Sequence, residues 1–272
     1  DLVVVGEYMP VKVFINEKGQ FTDRTAESGL EKTNGWWNRI KAADIDLDGD
    51  LDFVVGNHGL NSRFRASPTK PVCLYVSDFD QNGSVEQIVC NYIGDKSYPM
   101  VLRHDLVTQL PALKKKYLKY ESYKDQTIED VFTPEQIQHA AKLEVYQLAT
   151  SVFINDGKGR LTIRALPMEA QVSPVYGIDV NDINGDGNPD LLFGGNLYRV
   201  KPEAGRYDAS FGCALAGDGK GGFKALSPTA SGFKVDGEVR DILMLSGQTA
   251  DIYLVTRNNN SLVTFIRQKL TP

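Results

Sequence analysis

Basic charge, cysteine and long apolar runs are what this 272-residue chain has least of. Lys and Arg number 30 against 35 Asp and Glu, a formal net charge of −5. A general nucleic-acid binder presents a basic surface, so that class is set aside. No stretch approaches the roughly 18 consecutive apolar residues of a membrane-spanning helix. The three cysteines, Cys73, Cys90 and Cys213, are few and odd in number and do not settle the redox compartment. Cys73 and Cys90 flank one acidic loop almost symmetrically, which would set them face to face across a hairpin. Because a cross-strand disulfide needs unusual geometry, two free, half-buried thiols are expected there. Missing too are Gly-x-Ser-x-Gly, His-Glu-x-x-His and a phosphate-cradling glycine loop, which removes the usual sequence grounds for catalysis.

What the chain has instead is carboxylates at regular spacing. Asp44-Ile-Asp46-Leu-Asp48-Gly49-Asp50-Leu-Asp52 places acids at positions one, three, five, seven and nine, with glycine at six. Asp78, Asp80, Asn82, Ser84 and Glu86 repeat the pattern around Gly83, and Asp182, Asn184, Asp186, Asn188 and Asp190 repeat it around Gly187. Alternate placement aims oxygens inward from a tight turn, and glycine allows φ > 0 at its sharpest point. A hard cation needing roughly 6–8 oxygens suits such a loop, calcium above all. In each copy the seventh residue would offer its backbone carbonyl. An EF-hand is excluded, because it needs a Glu at position twelve and flanking helices, whereas Val55, Val89 and Phe193 stand there. The flanks read as short β-branched strands. Three bound calcium ions would turn −5 into +1, so metal ligands account for the acidity.

These loops, followed by Leu51-Asp-Phe-Val-Val-Gly56 or Pro189-Asp-Leu-Leu-Phe-Gly-Gly195, resemble FG-GAP (VCBS) repeats, the blade units of integrin α-like β-propellers. Val13-Phe-Ile-Asn16 and Val152-Phe-Ile-Asn155, each followed by an Asn/Gly turn, carry the same resemblance as blade hairpins. Ser97-Tyr-Pro-Met100, Leu110-Pro-Ala-Leu-Lys-Lys-Lys-Tyr117 and Gly205-Arg-Tyr-Asp-Ala-Ser210 are similar to a bacterial cartilage-acidic-protein-like group. The resemblance implies an all-β fold, a β-propeller of FG-GAP-type blades, with a small helical insertion. Loop ends at Asp1, Asp52, Glu86, Asp190 and a degraded copy at Asp251 give about five repeat units, in a closed or an incomplete ring. The expected organisation is one propeller domain or propeller fragment over 1–272, with the helical insertion at 95–148. Asp1-Leu-Val-Val-Val-Gly6 starts inside a motif, so a fragment is expected, with any targeting segment upstream.

Within the insertion, Thr133-Pro-Glu-Gln136 predicts a capped helix start. Ile137, Ala140, Ala141, Val145 and Leu148 carry that helix to about Leu148. A second helix is expected from Leu106 to Tyr120, started or kinked by Pro111. Of Trp36 and Trp37, one is expected in the core, and the other either packs between sheets or joins a ligand-binding rim. His58, Arg63 and Arg65 form a candidate anion site weighed against a plain polar loop. Lys114–Lys119 with Tyr117, Tyr120 and Tyr123 is a candidate contact surface weighed against a solvated helix face. Glu203, Arg206, Tyr207 and Asp208 are the best candidates for chemistry, again against a polar loop. The function expected is a calcium-stabilised secreted or cell-surface binding and adhesion module for a glycan or protein partner, extracellular or periplasmic. The alternative is a polysaccharide-active enzyme on a propeller scaffold.

Overall fold

The computed structural model describes residues 1–269, and the fold is all-β, built from antiparallel sheets. Two compact units divide the chain: Asp1–Arg63 with the chain from Leu148 onward, and Phe64–Gln147.

In the first unit, each acidic loop end opens or enters a sheet, and we name the sheets by that residue. The Asp1 sheet contains Leu2–Val4, Lys12–Glu17 and Gln20–Asp23. The Asp52 sheet runs Leu161–Ala165, Ser151–Asn155, Asp52–Gly56, Arg39–Ala43. The Asp190 sheet runs Val175–Asn181, Asp190–Gly195, Cys213–Gly217, Phe223–Leu226. The Asp251 sheet contains Val239–Ser246, Ala250–Arg257 and Val263–Gln268. A short ladder joins Glu7–Met9 to Gly35–Trp36.

Successive side chains of a strand point to opposite faces, so a strand covered on both sides must be apolar throughout. That is why Phe53-Val-Val and Leu191-Leu-Phe show no polar alternation. Val54 joins Leu191, Phe193 and Ile178 in one core cluster, while Val55 joins Phe153, Trp37 and Val13 in another. Leu192 turns the other way, to Val239, Ile242 and Val255. Neighbouring sheets therefore share cores pairwise, in the order Asp1, Asp52, Asp190, Asp251. Trp37 is the core tryptophan, 2% exposed, with its Nε1–H donating to the Thr33 carbonyl at 2.9 Å.

The second unit holds the Glu86 sheet, in the order Lys96–Pro99, Glu86–Ile93, Val72–Ser77, Ala141–Val145. Cys73 pairs directly with Cys90 across this sheet, and both are free and fully buried. Burial pushes both thiols up, so they stay protonated and inert. Thr133 and Gln136 form the expected capping box. The helix, however, spans only Pro134–His139, and Ala141–Val145 is a strand. Val72–Ser77 has an otherwise open edge, and pairing it completes a backbone ladder that a helix to Leu148 would leave unmade. The helix expected over Leu106–Tyr120 is Arg103–Gln109, followed by single 3₁₀ turns at Pro111–Lys114 and Tyr120–Ser122. Pro111 cannot continue the hydrogen-bond ladder and starts a new turn. Tyr117 is buried and Tyr123 half-buried, packed edge to face at 5.3 Å, so the aromatic part of the expected contact surface is largely core.

Candidate metal loops and an aromatic end

The three acidic loops have one backbone conformation. The sixth residue is left-handed each time: Gly49 at φ 97°, Gly83 at 89°, Gly187 at 87°. So is the fourth: Leu47 at 62°, Gln81 at 58°, Gly185 at 83°. Only the sixth-position glycine was foreseeable; Leu47 and Gln81 adopt the left-handed region without being glycine.

Those bonds repeat position for position. The first residue accepts from the sixth N–H: Asp44 from Gly49 at 3.1 Å, Asp78 from Gly83 at 2.8 Å, Asp182 from Gly187 at 2.9 Å. The fifth accepts from the seventh: Asp48 from Asp50, Asn82 from Ser84, Asp186 from Asn188, at 3.1, 2.8 and 2.8 Å. The ninth accepts from the second: Asp52 from Ile45, Glu86 from Phe79, Asp190 from Ile183, at 2.8, 3.0 and 2.9 Å. The ninth residue has a further task. Asp52 Oδ1 takes Asn155 N–H at 2.7 Å, and Asp190 Oδ1 takes Gly217 N–H at 2.8 Å. Asp1 Oδ1 takes Asn16 N–H at 2.9 Å, the same contact to the same Val-Phe-Ile-Asn motif. The buried carboxylates of Asp52 and Asp190 fasten a loop to the adjacent strand, and exposed Asp1 makes the same contact.

After these bonds, the first loop has oxygens left over. Asp44 Oδ1, Asp46 Oδ1 and Asp50 Oδ1 are buried from solvent and accept no hydrogen bond. Carboxylate oxygens of Asp44, Asp46 and Asp48 lie within 4.8 Å of one another, as do those of Asp78, Asp80 and Glu86. Desolvation first, then repulsion from the neighbouring acids, raises the Asp46 and Asp50 carboxyls above the usual range. An all-oxygen donor set under that much like-charge repulsion fits a hard divalent cation. The third loop is less crowded: Asn184 Nδ2 donates to Asp186 at 2.9 Å, and Asp186 is held below the usual carboxylate range by the Asn188 N–H first and Asn184 next.

Asp251 occupies the ninth position without an acidic loop. Its carboxylate is 1% exposed and pairs with Arg267 at 2.6 Å, Lys269 at 3.1 Å and Ser246 at 3.0 Å. Burial alone would raise it, but hydrogen bonds from Arg267, Lys269 and Ser246 hold it at about 2. Side-chain cations stand here where the other copies crowd carboxylates.

At the strand ends away from these loops, first-unit residues before Arg39, after Gly56 and after Gly195 come together. Tyr8, Trp36, His58 and Tyr207 form a row of edge-to-face rings with centroids 5.7, 4.9 and 4.7 Å apart. All four are half-buried. Arg206 stacks on Tyr198 at 4.4 Å and Arg240 on Tyr176 at 4.5 Å. Buried Asn57 fixes the row, its Oδ1 accepting from Trp36 N–H at 3.2 Å and His58 N–H at 2.7 Å. Tyr8 is itself left-handed, φ 57°, an outlier for so bulky a residue. Partial burial pushes His58 down to about 4, so it is neutral and adds no charge for an anion. Tyr207 and Arg206 thus belong to the stacked surface. Glu203 and Asp208 are exposed. Tyr8, Tyr176, Tyr198 and Arg240 escaped sequence reading because no local motif joins residues so far apart in the chain.

Residues 1–55 match the FG-GAP-like repeat family. No match was found among curated proteins.

Proposed function

We propose, from the premise that this chain carries an FG-GAP-like repeat, that it is a calcium-stabilised binding and adhesion module of the β-propeller type. FG-GAP repeats generally serve in adhesion and binding. In this reading the sheets are blades, about five in number, and the setting is extracellular, cell-surface or periplasmic. One observation carries the metal: three buried carboxylate oxygens of Asp44, Asp46 and Asp50 with no hydrogen-bond donor. Asp44, Asp46, Asp48, Asp50 and Asp52 would hold the first ion. Asp78, Asp80, Asn82, Ser84 and Glu86 would hold the second, and Asp182, Asn184, Asp186, Asn188 and Asp190 the third. The ion supplies charge neutralisation and a fixed turn, not chemistry on a substrate. At a hundredfold excess over Kd each site adds about 2.7 kcal/mol to stability.

The partner face in this reading is the aromatic row with its two Arg–Tyr stacks. Flat half-buried rings flanked by guanidinium groups suit the apolar faces and hydroxyls of a glycan, or an aromatic anchor of a protein.

The Asp46→Ala, Asp48→Ala double variant tests the metal. Calcium stoichiometry by calorimetry should fall by one, and Tm should fall only when calcium is present. An unchanged stoichiometry overturns the assignment. Saturable binding to a glycan or peptide array without turnover supports the module, whereas product release would favour an enzyme.

A further inference from the structure

Between the Asp190 and Asp251 sheets of the first unit lies a cavity of about 190 Å³. Ile183, Leu192, Phe233, Phe265 and Ile266 supply apolar walls, and Tyr253 and Arg267 are its large polar lining residues. Tyr253 is 4% exposed, and its hydroxyl makes no hydrogen bond; neither does the buried Nε of Arg267. The rest of the guanidinium is committed, Nη1 to the Asp182 carbonyl and Nη2 to Asp251 at 2.6 Å.

A buried polar group without a partner costs about 1–3 kcal/mol, and two at one apolar void call for an occupant. Both groups donate. Arg267 Nε carries a proton, and burial pushes the Tyr253 phenol up to about 12, so it keeps its own. Arg267 and Lys269 share the carboxylate of Asp251, and Asp182 also acts on Arg267 while Asp179 and Asp190 act on Tyr253. No positive charge is therefore left in excess, and the site is defined by its two unfilled donors. Two unfilled donors, one of them a guanidinium N–H, call for an acceptor, and a carboxylate joined to an apolar body supplies one that matches the rest of the lining. Size agrees: an apolar cavity of about 150 Å³ accepts benzene, and this one is larger and partly aromatic.

We propose that this cavity is a binding site for a small aromatic monocarboxylate, whose carboxylate takes the Tyr253 and Arg267 donors while its ring lies against Phe233 and Phe265. An ordered water would satisfy the donors but leave the apolar walls uncovered, and it is the competing occupant.

Phenylacetate is the probe, titrated into the full chain in calcium-containing buffer and followed by calorimetry and by methyl NMR of Ile183, Leu192 and Ile266. Saturable binding with shifts centred on those methyls is expected, with toluene binding more weakly. Tyr253→Phe should weaken phenylacetate about tenfold, the worth of one hydrogen bond to a charged acceptor. The same variant should leave the ligand-free protein at least as stable as the wild type, because the hydroxyl it removes is buried without a partner. The proposal is overturned by unshifted methyls at millimolar phenylacetate, a reading on the wild type that needs no variant to fold. Equal affinity for toluene, equal affinity in Tyr253→Phe, or a soaked crystal with only water between the two donors would overturn it as well.

Discussion

At the scale of single residues, the acidic loops separate two jobs that the sequence pattern runs together. The ninth residue is chiefly a clamp: Asp52 and Asp190 are fully buried and each accepts from two or three backbone N–H groups. The first, third and seventh residues of the first loop carry the unused oxygens. The fourth carries strain. Leu47 is left-handed and exposed, and Gly185 shows what the position prefers. A left-handed non-glycine costs roughly 1–2 kcal/mol, and glycine's extra unfolded freedom returns about half of that. Leu47→Gly should therefore stabilise the protein by up to about 1 kcal/mol in urea denaturation, with or without calcium. His58 works in the opposite sense under acid. Its folded pKa is lowered to about 4 from 6.5 by burial. Its contribution is therefore complete above pH 6.5 and drains away as pH falls toward 4, because the unfolded chain binds the proton first. By pH 4 the loss should reach about 3 kcal/mol. Subtracting the urea-denaturation pH profile of His58→Gln from that of the wild type isolates it from the titrating loop carboxylates, and a flat difference would refute it.

At the scale of elements, the glycines that close the apolar strands are fixed by the next sheet. A Cβ on Gly194 would lie 2.5 Å from a Val239 methyl, and one on Gly56 would lie 2.8 Å from the Val175 carbonyl. Each valine opens the following sheet, so strand-terminal glycine sets how closely neighbours stack. Gly194→Ala should cost about 1–3 kcal/mol of stability by overpacking, measurable as a lower urea midpoint, and trimming the partner in Gly194→Ala, Val239→Ala should recover part of it. How much was legible follows the same logic. The loops were readable because nine consecutive residues contain the bonds that shape the turn, while the clamp from Asp52 to Asn155 and from Asp190 to Gly217 reaches outside them. The capping box of Thr133 and Gln136 was readable for the same reason. Ala141–Val145 was not: Ile137, Ala140, Ala141 and Val145 fit a helical stripe, and the decisive fact is a ladder to Val72–Ser77, distant in sequence. The aromatic row failed for that reason more severely, being drawn from Tyr8, Trp36, His58 and Tyr207.

At the scale of the molecule, the uneven repeat spacing resolves once the Phe64–Gln147 unit is taken out. Asp52 and Asp190 are then 54 residues apart, against 51 from Asp1 to Asp52 and 61 from Asp190 to Asp251. The Asp78 loop keeps the same pattern but lies within that second unit, outside the near-even spacing of the other four loop ends. The interruption falls inside one sheet, since Asp52–Gly56 pairs with Ser151–Asn155 although 94 residues separate Gly56 from Ser151. The chain leaves and returns at nearly one point: Gly59 N–H donates to the Leu148 carbonyl at 2.8 Å, and Leu60 and Asn61 are both fixed to Gln171. Loop-closure entropy rises only about 0.6 kcal/mol per doubling of length, so a long excursion from such a junction is cheap and its removal should be tolerated. Replacing residues 64–147 by a short Gly-Ser link keeps all four strands of the Asp52 sheet and its shared cores with the Asp1 and Asp190 sheets. That variant should be soluble, melt in one cooperative transition and, on the calcium reading, bind one ion fewer than the intact chain. A molten product that binds the hydrophobic dye ANS would show that the first unit cannot complete its core alone, and the order of sheets argued from Val54, Val55 and Leu192 would then need the second unit as a member.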